Sequence, residues 1–140
     1  MDNLRVVLDT NILVSAFLSP KGQPAQILYK MRWRPTQGTF LRVYYNQEIL
    51  NEYDEVLSRS RFKFEATPEE RRFVLNVLKD NGILCNIAVS SVFPMKDESD
   101  RVFYDVAKAA GAFLITGNKK HYPDESFIVT PRDFIETVFN

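Results

Sequence analysis

Carboxylate side chains recur at the ends of the predicted strands and along the margins of the predicted helices. Carboxylates gathered in one pocket repel each other unless a cation balances them, so such a group predicts a bound metal ion. Hard oxygen ligands select Mg²⁺ or Mn²⁺, and these ions typically act on phosphate groups. The residues alone therefore indicate metal-dependent phosphoryl-transfer or phosphodiester chemistry, without naming a substrate.

The first of these carboxylates is Asp9, which directly follows a short apolar strand. Open α/β sheets bind ligands at this position, outside the carboxyl ends of their strands. Thr10 and Asn11 can cap the next helix and orient the Asp9 carboxylate. A structural role, in which Asp9 only helps to cap that helix, fits the sequence equally well.

The helix predicted over Gln47–Leu57 leaves a choice between two acids. At about 100° per residue, Glu48 and Glu55 lie well away from the apolar stripe, which is typical of a solvated face. Glu52 and Asp54 border the stripe, one on each side. Periodicity does not choose between them.

The densest acidic cluster, Lys96–Arg101, begins a later helix. Acids in a first helical turn are favoured by the helix dipole, so part of this cluster needs no function. Asp100, however, falls on the same side as Phe103 and Ala107, near the buried margin. That placement favours a functional role for Asp100.

The stretch Thr116–His121 follows a further predicted strand. Gly117 permits a tight turn there, and Asn118 presents a side-chain carbonyl at the carboxyl end of the strand. The stretch lacks the several glycines of a phosphate-binding loop. His121 is the only histidine, so a His-based metal site is excluded, whereas a loop-ordering hydrogen bond and proton transfer both stay open.

Strand-like and helix-like patterns alternate along the chain, which is typical of a parallel sheet covered by helices. Strands are predicted over residues 4–8, 40–45, 83–89, 113–116 and 127–129. Helices are predicted over 11–18, 24–33, 47–57, 68–81, 99–110 and after 130. We expect one α/β domain over residues 1–140.

The composition excludes several classes of protein. Hydrophobic residues make up 45% and aromatic residues 13%, too many for a disordered chain. The 18 Lys plus Arg balance the 18 Asp plus Glu, so no overall charge attracts nucleic acid or an anionic membrane. No secretory signal or membrane-spanning run is visible, and Cys85 alone permits no internal disulfide. We expect Cys85 to be a small buried hydrophobe in a soluble, cytoplasmic protein.

Five segments, in order over nearly the whole chain, closely resemble the PIN domain family, specifically bacterial toxins of toxin–antitoxin pairs. They are Val6–Leu13, Asn46–Tyr53, Asp97–Ala107, Leu114–Asn118 and Thr130–Phe134. Each segment alone is weakly specific, and the ordered set is specific. The resemblance implies an α/β, PIN-like three-layer fold with a central parallel sheet of about five strands flanked by helices.

The resemblance also implies an endoribonuclease that depends on Mg²⁺ or Mn²⁺. A metal-activated water would attack single-stranded RNA and leave a 5′-phosphate and a 3′-hydroxyl. The implied catalytic, metal-binding acids are Asp9, Glu52 and Asp100, with Asp97 as a near neighbour or further ligand. The resemblance therefore favours Glu52 over Asp54 as the functional acid of this helix.

The chain departs from the family pattern at Asn118, where many PIN proteins have Asp. Its side chain can ligate a metal through the carbonyl oxygen but adds no negative charge, so a second metal site is less well supported than the first. Asp124 is a candidate for the missing charge. Thr10, Asn11 and Thr116 would support the site.

Three other functions compete with this reading. Haloacid-dehalogenase-type phosphatases need a second Asp two positions after the first, and that position is Asn11 here. Response-regulator receivers are matched only superficially by Lys119, and no phosphorylated Asp is evident after a middle strand. A PIN fold that binds RNA or a protein without efficient cleavage is the serious alternative, because of Asn118.

RNA and a small antitoxin protein are the expected partners, with no membrane and with a homodimer as a further expectation. Basic residues, with Phe62 and Phe64 between some of them, could bind a single strand of RNA through charge and stacking. For any one residue, a solvated surface with Phe62 and Phe64 packed in the core is the favoured explanation. These basic residues are Arg32, Arg34, Arg59, Arg61, Lys63, Arg71 and Arg72, with Lys119 and Lys120 further on. Apolar candidates for a dimer surface are Trp33, Tyr44, Tyr45 and Phe139.

Overall fold

A computed structural model describes residues 3–32, 40–59, 67–86 and 90–139 of the chain. Its five strands pair in parallel to form one sheet in the order β3-β2-β1-β4-β5. The strands are β1 Asn3–Leu8, β2 Phe40–Tyr45, β3 Ile83–Leu84, β4 Phe113–Ile115 and β5 Ile128–Val129. The expected α/β architecture with a five-stranded parallel sheet is thereby confirmed.

Helices connect the strands and cover the sheet. They are α1 Thr10–Leu18, α2 Gln23–Arg32, α3 Gln47–Leu57, α4 Pro68–Asn81, α5 Arg101–Ala110 and α6 Pro131–Asp133. The last of these continues as a π-helical segment over Phe134–Phe139, and 3₁₀ turns span Glu98–Asp100 and Lys119–His121. None of the helices within the described ranges is long and apolar enough to cross a membrane.

Local sequence signals explain several of the helix boundaries. Thr67 and Glu70 form the reciprocal hydrogen bonds of a capping box at the start of α4, with Pro68 at its first position. Gly111 ends α5 with a φ of +63°, a left-handed conformation that favours glycine. Asn46 caps α3 by accepting a hydrogen bond from the backbone N–H of Ile49 at 2.8 Å.

Two predicted boundaries differ from the structure by more than one residue. The third strand has only two residues, and the end predicted at residues 87–89 lies outside the described ranges, as does Trp33 at the predicted end of α2. The helix predicted over 99–110 begins as a 3₁₀ turn, and α5 follows from Arg101. The side chain of Asp97 accepts the backbone N–H of Ser99, which stabilises this tight entry.

The strand order sets the location of the site. β1 lies at the centre, with β2 on one side and β4 on the other, so the chain changes direction across the sheet between β1 and β4. Val6, Val7 and Leu8 of β1 are fully buried. Ligands of open α/β sheets bind in the crevice at such a switch point. The carboxyl ends of β1 and β4 therefore define the place to look for chemistry.

Candidate active site

Asp9 lies at the switch point and is held by residues from the far end of the chain. Its backbone N–H donates to the carbonyl of Ile115 at 3.0 Å, which extends the pairing of β1 with β4. Its Oδ2 accepts hydrogen bonds from the hydroxyls of Thr116 at 2.8 Å and Tyr122 at 2.9 Å. The carboxylate is only 5% exposed, so its position is closely determined.

Asp9 is a buried carboxylate whose negative charge is only partly stabilised by neighbouring hydrogen-bond donors. Burial raises the pKa of Asp9, whereas the hydroxyls of Thr116 and Tyr122 and the backbone N–H groups of Asn11 and Thr10 lower it. Those N–H groups belong to the first turn of α1, where the helix dipole favours negative charge. A cation would be attracted to this carboxylate.

The residues after Asp9 do not have the capping role expected of them. The N-cap of α1 is Asp9 itself, and its side chain makes no capping hydrogen bond. Asn11 instead accepts the backbone N–H of Gly117 at 3.1 Å, which joins α1 to the turn after β4. The buried Thr10 hydroxyl has no hydrogen-bond partner within the described part of the chain.

Asp100 is a second buried carboxylate, at the end of the 3₁₀ turn that leads into α5. Burial and the negative charges of Asp9 and Asp97 raise the pKa of Asp100 to about 6. Its Oδ2 lies 3.2 Å from Nδ1 of His121, and this contact opposes the rise. The histidine therefore forms the ordering contact that was one of its two expected roles, and it does so within the acidic site.

Glu52 and Asp54 are separated by the structure. Burial, and the charges of Glu55, Asp97 and Asp9, raise the pKa of Glu52, and Arg59 lowers it. Asp54 is exposed and lines a separate cleft between α3 and α4. Glu52 therefore interacts electrostatically with the other acids, whereas Asp54 lines a different cleft.

The orientation of α3 depends on its buried tyrosine. The hydroxyl of Tyr53 donates to the carbonyl of Leu8, the last residue of β1. Burial, followed by the charge of Asp9, raises the pKa of Tyr53, so it stays a neutral donor. This bond ties the helix that carries Glu52 to the strand that presents Asp9.

Asp97 completes the set of four acids at a more exposed position. The hydroxyl and the backbone N–H of Ser99 lower the pKa of Asp97, so this carboxylate is ionised at neutral pH. It interacts electrostatically with both Glu52 and Asp100. Negative charges on three segments, those of Asp9, Glu52 and the turn that carries Asp97 and Asp100, therefore interact with one another.

Asn118 lies beside this group on the turn after β4 and is exposed. Its backbone N–H donates to Oγ1 of Thr116 at 3.0 Å, and the same hydroxyl donates to Asp9. Asp124 is exposed as well. No described contact joins the side chain of either residue to the four acids.

The donor set suits a hard divalent cation. Within the described residues, no three Asp, Glu, His or Cys side chains lie close enough to hold a metal ion together. Mg²⁺, however, is commonly bound by one or two carboxylates and completes its shell with water. Asp9 and Asp100, buried and mutually repelling, fit such a pair, and the ion would relieve their repulsion.

Tyr122 is the contact that sequence reasoning missed. It is buried and donates to Asp9, and its partner lies 113 positions away in the chain. Burial and the charges of Asp9 and Asp100 raise the pKa of Tyr122 far above its ordinary value. No spacing rule relates residues so distant, although the stretch Thr116–His121 beside Tyr122 had been singled out from the sequence.

The expected surfaces are only partly described. Arg59 and Arg72 are exposed and pair with Glu55 at 3.8 Å and Glu69 at 3.7 Å. The exposed Lys119 and Lys120 lie on the turn that ends at His121. Residues outside the description are Trp33, Arg34, Arg61, Phe62, Lys63 and Phe64, together with the side chains of Arg32 and Phe139.

The apolar candidates that can be placed belong to the core region. Tyr44 and Tyr45 are half-buried and pack against the core from β2. Cys85 is half-buried rather than fully buried and has a free thiol.

Fold and site together define an α/β protein with carboxylates at the switch point of a parallel sheet. A family model of the PIN domain matches residues 5–120, and the chain belongs to this family. It therefore has a nuclease-type fold, of a family whose members are generally nucleases and typically depend on divalent metals.

A curated relative has no assigned function. The chain is 27% identical over 154 aligned residues to an uncharacterized protein of Methanocaldococcus jannaschii, covering 95% of this chain and 90% of that protein. No solved structure matches the chain significantly.

Proposed function

We propose that the protein is a Mg²⁺- or Mn²⁺-dependent endoribonuclease that cleaves single-stranded RNA. The observation that carries this proposal is the electrostatic coupling of Asp9, Glu52, Asp97 and Asp100 at the switch point of the sheet. The raised pKa values of Asp9, Glu52 and Asp100 mean that their ionised forms are unfavourable in the metal-free protein, as is expected where a cation and a phosphate are to be bound. Residues 1–140 form one PIN domain in this proposal.

Each side chain has a distinct task in the proposed reaction. Asp9 and Asp100 would hold the ion, with Glu52 and Asp97 adding negative charge around it, and Asn118 could contribute a neutral oxygen ligand. Thr116, supported by Asn11 through the neighbouring turn, keeps the Asp9 carboxylate in place. When bound, the metal would activate water and stabilise the leaving oxygen of the phosphodiester.

A cleavage assay with purified protein tests the proposal. Wild-type protein with Mn²⁺ should cut single-stranded RNA and leave 5′-phosphate ends, and EDTA should stop the reaction. Asp9→Asn and Asp100→Asn should each reduce the rate by at least about 100-fold, as loss of a positioned charged group does. Persistent cleavage in both variants would assign the activity to another site or to a contaminant.

The same assay decides between cleavage and binding alone. If RNA stays intact with Mn²⁺ while it still binds, the protein is a PIN-fold binding module. Contacts of Lys119 and Lys120 with phosphates should make binding weaken steeply as salt concentration rises. A binding constant insensitive to salt would exclude a substantial contribution from these lysines.

We also propose that the ribonuclease is the toxin of a toxin–antitoxin pair in the cytoplasm. This rests on the resemblance of the sequence segments to such toxins. A groove of about 620 Å³ between α1, α2 and α4 is lined mainly by apolar side chains and could receive a segment of a small antitoxin. Expression should arrest growth, and the protein of an adjacent short reading frame should reverse the arrest; failure of both would exclude the toxin role.

A homodimer is a further part of the proposal. Tyr29 and Phe73 are 70% and 51% exposed at the rim of this groove, where they could pack against a second copy of the chain. Sedimentation of the purified protein should give twice the mass of the 16.3 kDa chain. A concentration-independent monomer would exclude the dimer.

A further inference from the structure

The guanidinium group of Arg101 joins the start of α5 to the segment that precedes the acidic turn. Nη1 donates to the carbonyl and to the hydroxyl of Ser91, both at 2.9 Å. Nη2 donates to the carbonyl of Phe93 at 2.6 Å, and the guanidinium carbon lies 5.5 Å from the centre of the Phe93 ring. One side chain therefore holds two residues of the segment.

The same guanidinium is also held from the acidic turn itself. Its Nε and Nη2 donate to the two carboxylate oxygens of Glu98, at 2.7 and 2.9 Å. This two-point pairing requires the planar fork of arginine, which an ammonium group cannot reproduce. Arg101 thereby ties residues 91–93 to the turn in which Asp97 and Asp100 stand on either side of Glu98.

A second contact lies one helical turn further along α5. The buried carboxylate of Asp105 accepts the backbone N–H of Ser91 at 3.2 Å and the hydroxyl of Ser90 at 3.2 Å. Residues four apart lie on the same face of a helix. One face of α5 therefore binds the segment 90–93 through two side chains, the guanidinium of Arg101 and the carboxylate of Asp105.

We propose that Arg101 and Asp105 are positioning residues that set Asp97 and Asp100 for metal binding. The proposal rests on the proposed function and adds to it two residues that touch neither metal nor RNA. Only residues 94–96 separate the held segment from Asp97, so fixing residues 91–93 restricts the path into the acidic turn. Without the hydrogen bonds of Arg101 and Asp105, these residues would regain conformational freedom, and ordering them on metal binding would cost free energy.

Two substitutions with matched controls test the proposal. Arg101→Lys keeps the charge but loses the fork, and Asp105→Ala removes the second contact. Arg132→Lys alters an exposed arginine that pairs with Glu136 at 3.4 Å, and Asp80→Ala removes an exposed carboxylate. Mn²⁺ affinity is measured by electron paramagnetic resonance without RNA, amide hydrogen exchange over residues 91–97 reports order, and kcat and KM are measured with RNA.

Both test variants should bind Mn²⁺ about 10-fold more weakly, because the acidic turn must then be ordered when the metal binds. Exchange over residues 91–97 should accelerate selectively, kcat at limiting Mn²⁺ should fall, and KM for RNA should stay within twofold. Both controls should match the wild type. Arg101→Lys retains the side-chain stem and the charge, so it decides the matter if Asp105→Ala does not fold.

The proposal would be overturned if folded Arg101→Lys protein bound Mn²⁺ as tightly as the wild type does. It would also be overturned if the wild-type protein bound no Mn²⁺. The proposed ribonuclease fails on a different result, the absence of RNA cleavage by wild-type protein that does bind Mn²⁺. In that case, the Mn²⁺ affinities and hydrogen exchange still decide whether Arg101 and Asp105 position the acidic turn.

Discussion

The hydroxyl of Tyr122 donates a hydrogen bond of 2.9 Å to Oδ2 of Asp9, a residue 113 positions earlier in the chain. Thr116 donates to the same oxygen from the end of β4. Two neutral donors thus hold one carboxylate that the surrounding apolar core would otherwise disfavour. The position and the charge of Asp9 depend on both.

Tyr122→Phe is expected to impair the reaction more than the fold. Loss of one donor leaves Asp9 less well oriented and moves its pKa further upward, so kcat should fall about 10-fold with little change in KM. The pH at which kcat/KM reaches half its maximum should rise. Tyr29→Phe removes an exposed hydroxyl as the control. Equal kcat in the two variants would exclude a positioning role for Tyr122.

Glu52→Gln and Asp54→Asn form a matched pair on α3. Both replace a carboxylate by an amide. The charge of Glu52 interacts with Asp9 and Asp97, whereas Asp54 is exposed and lines the cleft between α3 and α4. We expect RNA cleavage at limiting Mn²⁺ to fall at least about 10-fold for Glu52→Gln and to change less than twofold for Asp54→Asn. The reverse order would place Asp54, not Glu52, in the site.

The stability of the metal-free protein should depend on Asp100. Its native pKa of about 6 exceeds the ordinary value of 3.8, so the native state binds this proton more tightly than the unfolded chain. Stability due to this group therefore increases as pH falls through 6 toward 3.8 and is absent at higher pH. Asp100→Asn should raise the Tm at pH 8 by roughly 3 °C or more, and the difference should vanish below the ordinary pKa.

Asp97→Asn should change the Tm at pH 8 in the opposite direction to Asp100→Asn, or leave it unchanged. The pKa of Asp97 is lowered by Ser99, so its contribution is present above the ordinary pKa and is lost as pH falls. At pH 8 this variant should have a Tm equal to or below that of the wild type. A rise as large as that of Asp100→Asn would show that general charge reduction, and not burial, controls the effect.

Bound metal should stabilise the protein. A ligand that binds only the native state at 100 times its Kd adds about 2.7 kcal/mol to the free energy of unfolding. Thermal unfolding should therefore move upward with Mn²⁺ concentration and return with EDTA. The shift should be lost in Asp9→Asn and kept in Asp80→Asn. A wild-type Tm independent of Mn²⁺ would contradict the metal site.

Gly82→Ala should destabilise the fold through crowding. A Cβ atom at Gly82 would lie 2.4 Å from the carbonyl oxygen of Leu78 and 2.8 Å from that of Val43, and backbone atoms do not yield easily. We expect a loss of about 1–3 kcal/mol in denaturant unfolding. At Gly117 the nearest atom is 3.6 Å away, so Gly117→Ala is the mild control. Equal losses would contradict this packing.

Much of the fold was predictable because its signals are local. The 3.6-residue period of α3, the capping box at Thr67 and the apolar run of β1 each depend on residues within one element. The start of α5 was predicted wrongly because a local side chain competes with the helix: the hydrogen bonds of Asp97 with Ser99 favour a 3₁₀ turn over an immediate α-helix.

The sequence predicted which types of residue form the candidate site, but not which residues contact one another there. Spacing placed Asp9 after a strand and Asp100 near a buried margin, and both are buried in the structure. The choice between Glu52 and Asp54 needed either a family resemblance or the packing of α3, because a helical wheel gives both the same distance from the apolar stripe.

The sequence by itself determined the alternation of strands and helices, the set of acids and the family, because these follow from local patterns and from residue identity. Only the tertiary structure decided that Tyr122 and Thr116 share one oxygen of Asp9, and that Arg101 holds the segment before Asp97. The physical reason is the order of strands in the sheet, which brings the end of β1 beside the end of β4 across more than 100 residues. Hydrogen bonds between such distant residues form only after the sheet has closed that distance.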